Sequence, residues 1–220
     1  MPDRTDETYI PPALALSAIV LAGGRSRRMG QDKRRLKLWG EAGPTLLEHT
    51  VQLVGQLCND VVVVLNDAQD WPQLAARCVA DAYPQGGALG GIYSGLAAAR
   101  SRHALLVACD MPFLNPALLA FLLHYPAEYD ALIPRTTMPE ATRNSSGVEP
   151  LHGVYSMVCL PALQACLHAG QLQITSFLDT VNTIIVEASE YQHLDPEGRS
   201  FINLNDAAQL QDFMAFKKEL

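Results

Sequence analysis

The sequence predicts an α/β fold in three layers, with a central, mostly parallel sheet and helices on both faces. Three observations carry that prediction. Apolar, β-branched runs recur at Ser17–Ala22, Asp60–Asn66, His103–Cys109 and Tyr129–Pro134, and continuous runs of this kind mark strands covered on both faces. Segments with helical spacing lie between them, so strand and helix alternate in units of roughly 20–40 residues. The first run ends in Gly23-Gly24 and passes into a basic stretch, and ligands in open α/β sheets sit at the carboxyl ends of strands.

Taken in order, residues 1–16 read as an N-terminal tail, because early acids and two prolines interrupt any apolar core that a signal peptide would need. Residues 17–220 then read as one domain. Pro44 and Thr45 open a helix with Leu46, Leu47, Thr50, Val51, Val54 and Leu57 at 3–4 spacing. The four valines of Asp60–Asn66 form the second strand. A short helix around Gln69–Arg77 and a brief strand at Cys78–Ala80 lead to Asp81. The glycine-rich stretch from Gly86 to Gly95 reads as a loop running into a helix at Leu96–Ala99. After His103–Cys109, Asn115-Pro116 is an N-cap with proline at the first helical position, opening a helix over Ala117–His124. Residues 135–149 are polar and aperiodic, equally a plain surface loop or a binding loop. Pro150–Ser156 and Thr183–Ala188 read as strands with helical segments between them and Phe177 on an apolar face. The alternation is weaker here, which predicts mixed or antiparallel pairing. A short strand at Phe201–Asn205, an Asp206 cap and an amphipathic helix end the chain.

Size and composition narrow the function. A chain of 220 residues, 49% hydrophobic, can bury one good core. A pI near 5.3 speaks against general nucleic-acid binding. No apolar run approaches the roughly 18 residues of a membrane span. Five cysteines (58, 78, 109, 159 and 166) without a C-x-x-C fit reduced core thiols in a cytoplasmic protein.

Against that acidic background, Arg25, Arg27, Arg28, Lys33, Arg34, Arg35 and Lys37 crowd into one stretch, with Asp32 the only acid among them. A concentrated positive patch on an acidic protein suggests a local anionic ligand. Gly23 and Gly24 let backbone N–H groups approach a phosphate, so the stretch reads as a polyphosphate loop. A glycine turn followed by a solvated basic helix would give the same charge run. The Walker pattern is absent, since Gln31 follows Gly30 where lysine is required, and no G-x-G-x-x-G occurs. Asp110 follows the third long strand, where a carboxylate can hold Mg²⁺ with phosphate oxygens and water completing the octahedron. Alone it reads better as a cap of the turn before Pro112; paired with the basic glycine loop, the metal reading is the stronger. Such a site suits attack on the α-phosphorus of a nucleoside triphosphate with diphosphate leaving, chemistry that needs cations and positioned donors. Lys33, Arg25 and Arg28 would neutralise the triphosphate, and Gly23 and Gly24 would donate N–H groups. An acceptor that is itself a phosphate monoester needs no general base, which agrees with the absence of H-E-x-x-H and of a G-x-S-x-G elbow. His152 reads as a satisfied structural histidine.

The string L-A-G-G-x-S-x-R-M-G-x-D-K, from Leu21 to Lys33, resembles the opening signature of the nucleotidyltransferases that make molybdopterin guanine dinucleotide. Sugar and isoprenoid nucleotidyltransferases share a looser form. The Leu-Ala-Gly-Gly start and the Asp32-Lys33 pair look more like the molybdenum cofactor guanylyltransferases than their cytidylyl relatives, which tend to have Ala-Ala-Gly. Cys109-Asp-Met-Pro-Phe-Leu114 is similar to the family's metal-binding C-D-x-P segment, with Asp110 matching its Mg²⁺ aspartate.

The resemblance implies the three-layer Rossmann-like fold of the nucleotide-diphospho-sugar transferases. It implies Mg²⁺-dependent transfer of GMP from GTP to molybdenum-molybdopterin, with Lys33, Arg28 and Asp110 in the catalytic roles. The Leu21, Ala22 and Gly23 backbone would contact guanine, and Asp81 would help hold the nucleoside. Asn66 is the nearest candidate for an asparagine that the family often places after the second strand. Gly87-Ala-Leu-Gly-Gly91, containing Gly90, departs from the family's Gly-Pro-Leu-Ala-Gly. Glu149–Tyr155 and Asn203-Leu-Asn205 would line the pterin side. Molybdenum-insertion and molybdoenzyme-chaperone proteins are the partners that such a reaction implies. Two alternatives stand beside it: a sister enzyme transferring CMP to molybdopterin or a nucleotide to a sugar phosphate, and a non-catalytic nucleotide-binding domain.

Overall fold

A computed structural model describes residues 14–23, 32–136 and 147–204. One sheet of seven strands runs through it, in the order β3-β2-β1-β4-β6-β5-β7. The strands are β1 (Leu14–Leu21), β2 (Cys58–Val64), β3 (Arg77–Val79), β4 (His103–Ala108), β5 (Ala131–Pro134), β6 (His152–Ser156) and β7 (Thr183–Val186). β1 pairs in parallel with β2 on one side and with β4 on the other, β2 with β3, and β5 with β7. Among the described strands β6 alone runs against the rest, antiparallel to both β4 and β5. The mixed pairing expected of the C-terminal third therefore resides in that one strand.

Helices cover both faces: α1 (Leu46–Leu57), α2 (Gly87–Ala98), α3 (Pro116–Leu123), α4 (Leu160–His168), α5 (Ile174–Leu178) and the short α6 (Ala188–Tyr191). Alternate residues along each central strand feed two cores. Ala18, Val20, Leu105 and Val107 pack with α1 and α3, while Ile19, Ala104 and Leu106 pack with α2, α4 and the fully buried Phe177 of α5. This is the double covering that the valine-rich runs require. Thr45 caps α1 in a reciprocal capping box with Glu48, and Asn115 caps α3, with Pro116 at its first turn.

Several elements depart from the sequence reading. β1 begins at Leu14, so three residues assigned to the tail belong to the sheet. No helix fills Gln69–Arg77: a 3-10 turn at Ala68–Asp70 ends at Trp71, because Pro72 disfavours helical backbone before it. The glycine stretch is helix rather than loop, α2 starting at Gly87 with φ +58°. A Cβ at Gly95 would lie 2.3 Å from Ile19 Cγ2, so the glycine lets α2 lie close on β1. Phe201–Asn205 is not a strand in its described part. A 3-10 turn at Arg199–Phe201 gives way to a segment whose backbone bonds go to the loops at the strand ends, through Leu204 N–H to the Asp110 carbonyl. The expected Asp206 cap and final helix lie outside the described residues. All five cysteines are free thiols, and among the described residues no helix is long and apolar enough to cross a membrane.

Candidate active site

Because β1, β2, β3 and β4 are parallel, their carboxyl ends deliver four loops to one edge of the sheet. β1 lies between β2 and β4, where the chain's winding changes direction, the place where open α/β sheets form a crevice. A cavity of about 460 Å³ lies there. β1 contributes Leu21, Ala22 and Gly23; β2 contributes Val64 and Asn66; Asp81 follows β3; and Ala108, Cys109 and Asp110 close β4. Asp32, Lys33 and Arg34 of a 3-10 turn and the first residues of α2, Gly87 and Ala88, complete the polar side. Among the described residues no side chain caps α2, and Gly87 and Ala88 of its first turn line the cavity, where the amides of a helix start can meet an anion.

The cavity thus gathers Lys33, Asp110, Asn66, Asp81 and the Leu21–Gly23 backbone, which are distant in sequence. Other expected residues are elsewhere. Gly90 does not line the cavity; it is buried under the turn after β3, where a Cβ would lie 2.4 Å from the Tyr83 carbonyl, and Gly91 lines the cavity instead. Asn203 is buried and donates its amide to the Phe201 carbonyl at 3.3 Å, away from the cavity lining. Gly24, Arg25, Arg28 and Asn205 lie outside the described residues, as do positions 137–146. The described ends of the 135–149 loop are joined by Thr136 N–H to the Gly147 carbonyl and Glu149 N–H to the Pro134 carbonyl.

Polar side chains hold the loops in place. Asn66 Oδ1 accepts the Asp81 N–H at 2.9 Å, tying the loops after β2 and β3 together and leaving the amide NH₂ for a ligand. Asp81 Oδ1 accepts the Tyr83 N–H, and Ser94 Oγ, 3.0 Å from Asp81 Oδ1 and 2.8 Å from the Gly90 carbonyl, accepts the Ala82 N–H. Lys33 Nζ donates to the Leu204 carbonyl. The segment that bonds to Asp110 through its backbone therefore also holds the lysine.

Arg34 corrects the charge reading. It belongs to the basic stretch that suggests an anionic ligand, yet its guanidinium lies against two carboxylates, Asp32 and Asp67, at 2.6–2.8 Å. Those bonds hold both carboxyls below the usual carboxylate range and raise the arginine further. Arg35 packs over Trp71 instead, 4.6 Å from the ring centroid. Charge alone gave no way to separate these neighbours. The signal available for Arg34 was the pair of aspartates, one before the lysine and one just after Asn66.

His152 also differs from expectation. It is structural, fully buried on β6 with its ring 4.9 Å from that of Phe201. It is not satisfied: among the described residues neither ring nitrogen has a hydrogen-bond partner, and burial pushes its pKa down to about 3.

Residues 18–183 match the model of the MobA-like NTP transferase domain. A probable molybdenum cofactor guanylyltransferase of Chloroflexus aggregans is 44% identical over 207 residues, covering 94% of this chain and 97% of that protein. A molybdenum cofactor guanylyltransferase of Syntrophotalea carbinolica is 31% identical over 203 residues, 92% of this chain and 91% of that one. Among solved structures, molybdopterin-guanine dinucleotide biosynthesis protein A from Archaeoglobus fulgidus superposes with a TM-score of 0.76 at 25% identity, over 93% of this chain and all of that one. With the domain model spanning most of the sheet and relatives aligned nearly end to end, the chain belongs to the MobA-like NTP transferase family.

Proposed function

We propose that the protein is a molybdenum cofactor guanylyltransferase, transferring GMP from GTP to molybdenum-molybdopterin to give molybdopterin guanine dinucleotide and diphosphate. One observation carries the reading from structure: the cavity at the strand ends gathers Lys33 and Asp110 with the Leu21–Gly23 backbone and the first residues of α2. That is a cation, a hard carboxylate and a row of amides around a space of nucleotide dimensions.

In this reading the Leu21–Gly23 backbone and Asn66 face the guanine end, and Asp81 the ribose. Lys33, with Arg25 and Arg28 from the adjoining loop, neutralises the charge that accumulates on the departing diphosphate. The site's residues fit Mg²⁺. Asp110 offers a hard carboxylate oxygen at the cavity. That donor set suits an ion kept mainly by phosphate oxygens and water. When bound, Mg²⁺ would draw charge from the phosphate oxygens. The acceptor's phosphate monoester, with a second pKa near 6, is already ionised at neutral pH and attacks without a general base. A cytoplasmic location and association with proteins that insert molybdenum or chaperone molybdoenzymes belong to the same proposal.

The test is diphosphate release by the purified protein with Mg²⁺ and each of the four ribonucleoside triphosphates, with and without molybdopterin. Release requiring GTP and acceptor supports both reaction and base. Release with CTP keeps the site and moves the protein to the cytidylyl enzymes. No release with any of the four leaves a nucleotide-binding module.

A further inference from the structure

The Arg34 guanidinium has five N–H donors, and the structure uses all of them. Nε–H donates to Asp32 Oδ1 at 2.8 Å, and Nη2 donates to Asp32 Oδ2 at 2.7 Å and to Asp67 Oδ2 at 2.6 Å. Nη1 donates to Asp67 Oδ1 at 2.7 Å and to the Ala22 carbonyl at 3.2 Å. The side chain is 12% exposed, and Trp71 closes off the approach with its ring centroid 5.6 Å from the guanidinium carbon. No donor remains for a phosphate, and two carboxylates outweigh the single positive charge.

The three partners are the segments that form the nucleotide end of the cavity. Ala22 ends β1 and lines the wall; its N–H donates to the Val64 carbonyl, so with Arg34 on its C=O the peptide is held from both sides. Asp32 caps the 3-10 turn that carries Lys33. Asp67 directly follows Asn66, whose side-chain Oδ1 accepts the Asp81 N–H. From these bonds we infer that Arg34 is a positioning residue. It fixes the spacing between the Ala22–Gly23 backbone, Lys33 and Asn66, and so sets affinity and base discrimination for the nucleoside triphosphate without touching it. The inference rests on the reading of this cavity as the GTP site.

A second arginine fork in the same sheet supplies the control. At the opposite ends of the strands Arg77 grips Asp60 at 2.8–3.0 Å and donates to the Ala98 carbonyl, remote from the cavity lining. Lysine keeps the charge at either position but cannot form the planar fork. Arg34→Lys, Asp67→Asn and Arg77→Lys would be compared with wild type by calorimetric titration of GTP and ATP, steady-state kinetics and thermal melting. Arg34→Lys is expected to raise both Kd and KM for GTP about tenfold or more, to shrink the preference for GTP over ATP, and to leave KM for the acceptor unchanged. Asp67→Asn should do the same to a lesser degree, and it is the deciding variant should Arg34→Lys not fold. Arg77→Lys should lose melting temperature while keeping GTP affinity and base preference. If GTP binding by Arg34→Lys and Asp67→Asn follows that of Arg77→Lys, Arg34 is structural and the inference is overturned. Wild-type protein that binds GTP but releases no diphosphate with authentic acceptor defeats the transfer reaction, while the binding titrations still judge Arg34. Wild type that binds no triphosphate overturns both.

Discussion

Asp110 and Lys33 stand at the two sides of the proposed reaction, and each can be tested alone. Asp110→Ala is expected to abolish diphosphate release and to leave metal-free nucleotide binding measurable by calorimetry; near-normal turnover would remove Asp110 from the metal role. Lys33→Ala should cost at least about tenfold in kcat/KM, roughly 1.4 kcal/mol of barrier, and an unchanged value would remove Lys33 from the triphosphate-neutralising role. Their place at the cavity was legible in sequence because each has a positional signal, a carboxylate at the end of a buried strand and a lysine at the end of a glycine loop. Arg34 was not legible. It and Arg35 are chemically identical neighbours, and only the folded positions of Asp67 and Trp71 decide that one is enclosed by carboxylates and the other lies on an indole face.

Among the elements, α2 shows why local preference misleads. Glycine is a weak helix former, so a stretch rich in it reads as loop. Yet α2 is a helix because Leu89, Ile92 and Leu96 are fully buried in the core beneath it, and its glycines let the backbone approach the sheet. The same substitution should then have opposite signs in two helices. Gly95→Ala places a methyl 2.3 Å from Ile19 Cγ2 and should destabilise by about 1–3 kcal/mol. Gly55→Ala in α1 meets only Val61 Cγ2 at 3.9 Å and should stabilise by roughly 0.5–1 kcal/mol. Urea denaturation of the two variants beside wild type checks both signs at once. α1 and α3, by contrast, were readable because their caps, Thr45 and Asn115, are written in local chemistry that tertiary packing did not need to override.

For the molecule as a whole, the layered sheet followed from the apolar runs, since burial on both faces leaves few other arrangements. The path of the C-terminal third did not, because strand direction there depends on which edges meet rather than on composition. One buried group gives the whole fold a pH dependence. With its pKa pushed down to about 3, His152 stays neutral in the folded state where the unfolded chain takes up a proton below about 6.5. Stability should therefore be unaffected by this group above that pH and fall as pH drops, by about 2 kcal/mol between pH 7 and 5. Asp32 and Asp67, held low by Arg34, add a loss in the same direction only at more acid pH. His152→Leu should flatten the slope between pH 7 and 5 in urea titrations; an unchanged slope would show that the histidine is not its source.

The bonds from Lys33 to the Leu204 carbonyl and from Leu204 N–H to the Asp110 carbonyl join positions up to 171 residues apart. Contacts of such sequence separation are among the slowest for a chain to find. The parallel half of the sheet, β3-β2-β1-β4, and most of the cavity lining come from segments up to β4, but Lys33 is anchored only when the 202–204 segment arrives. If Lys33 has the role proposed for it, recovery of GTP turnover in refolding from denaturant should lag behind recovery of the far-ultraviolet circular dichroism signal, because the contact that holds it spans 171 residues.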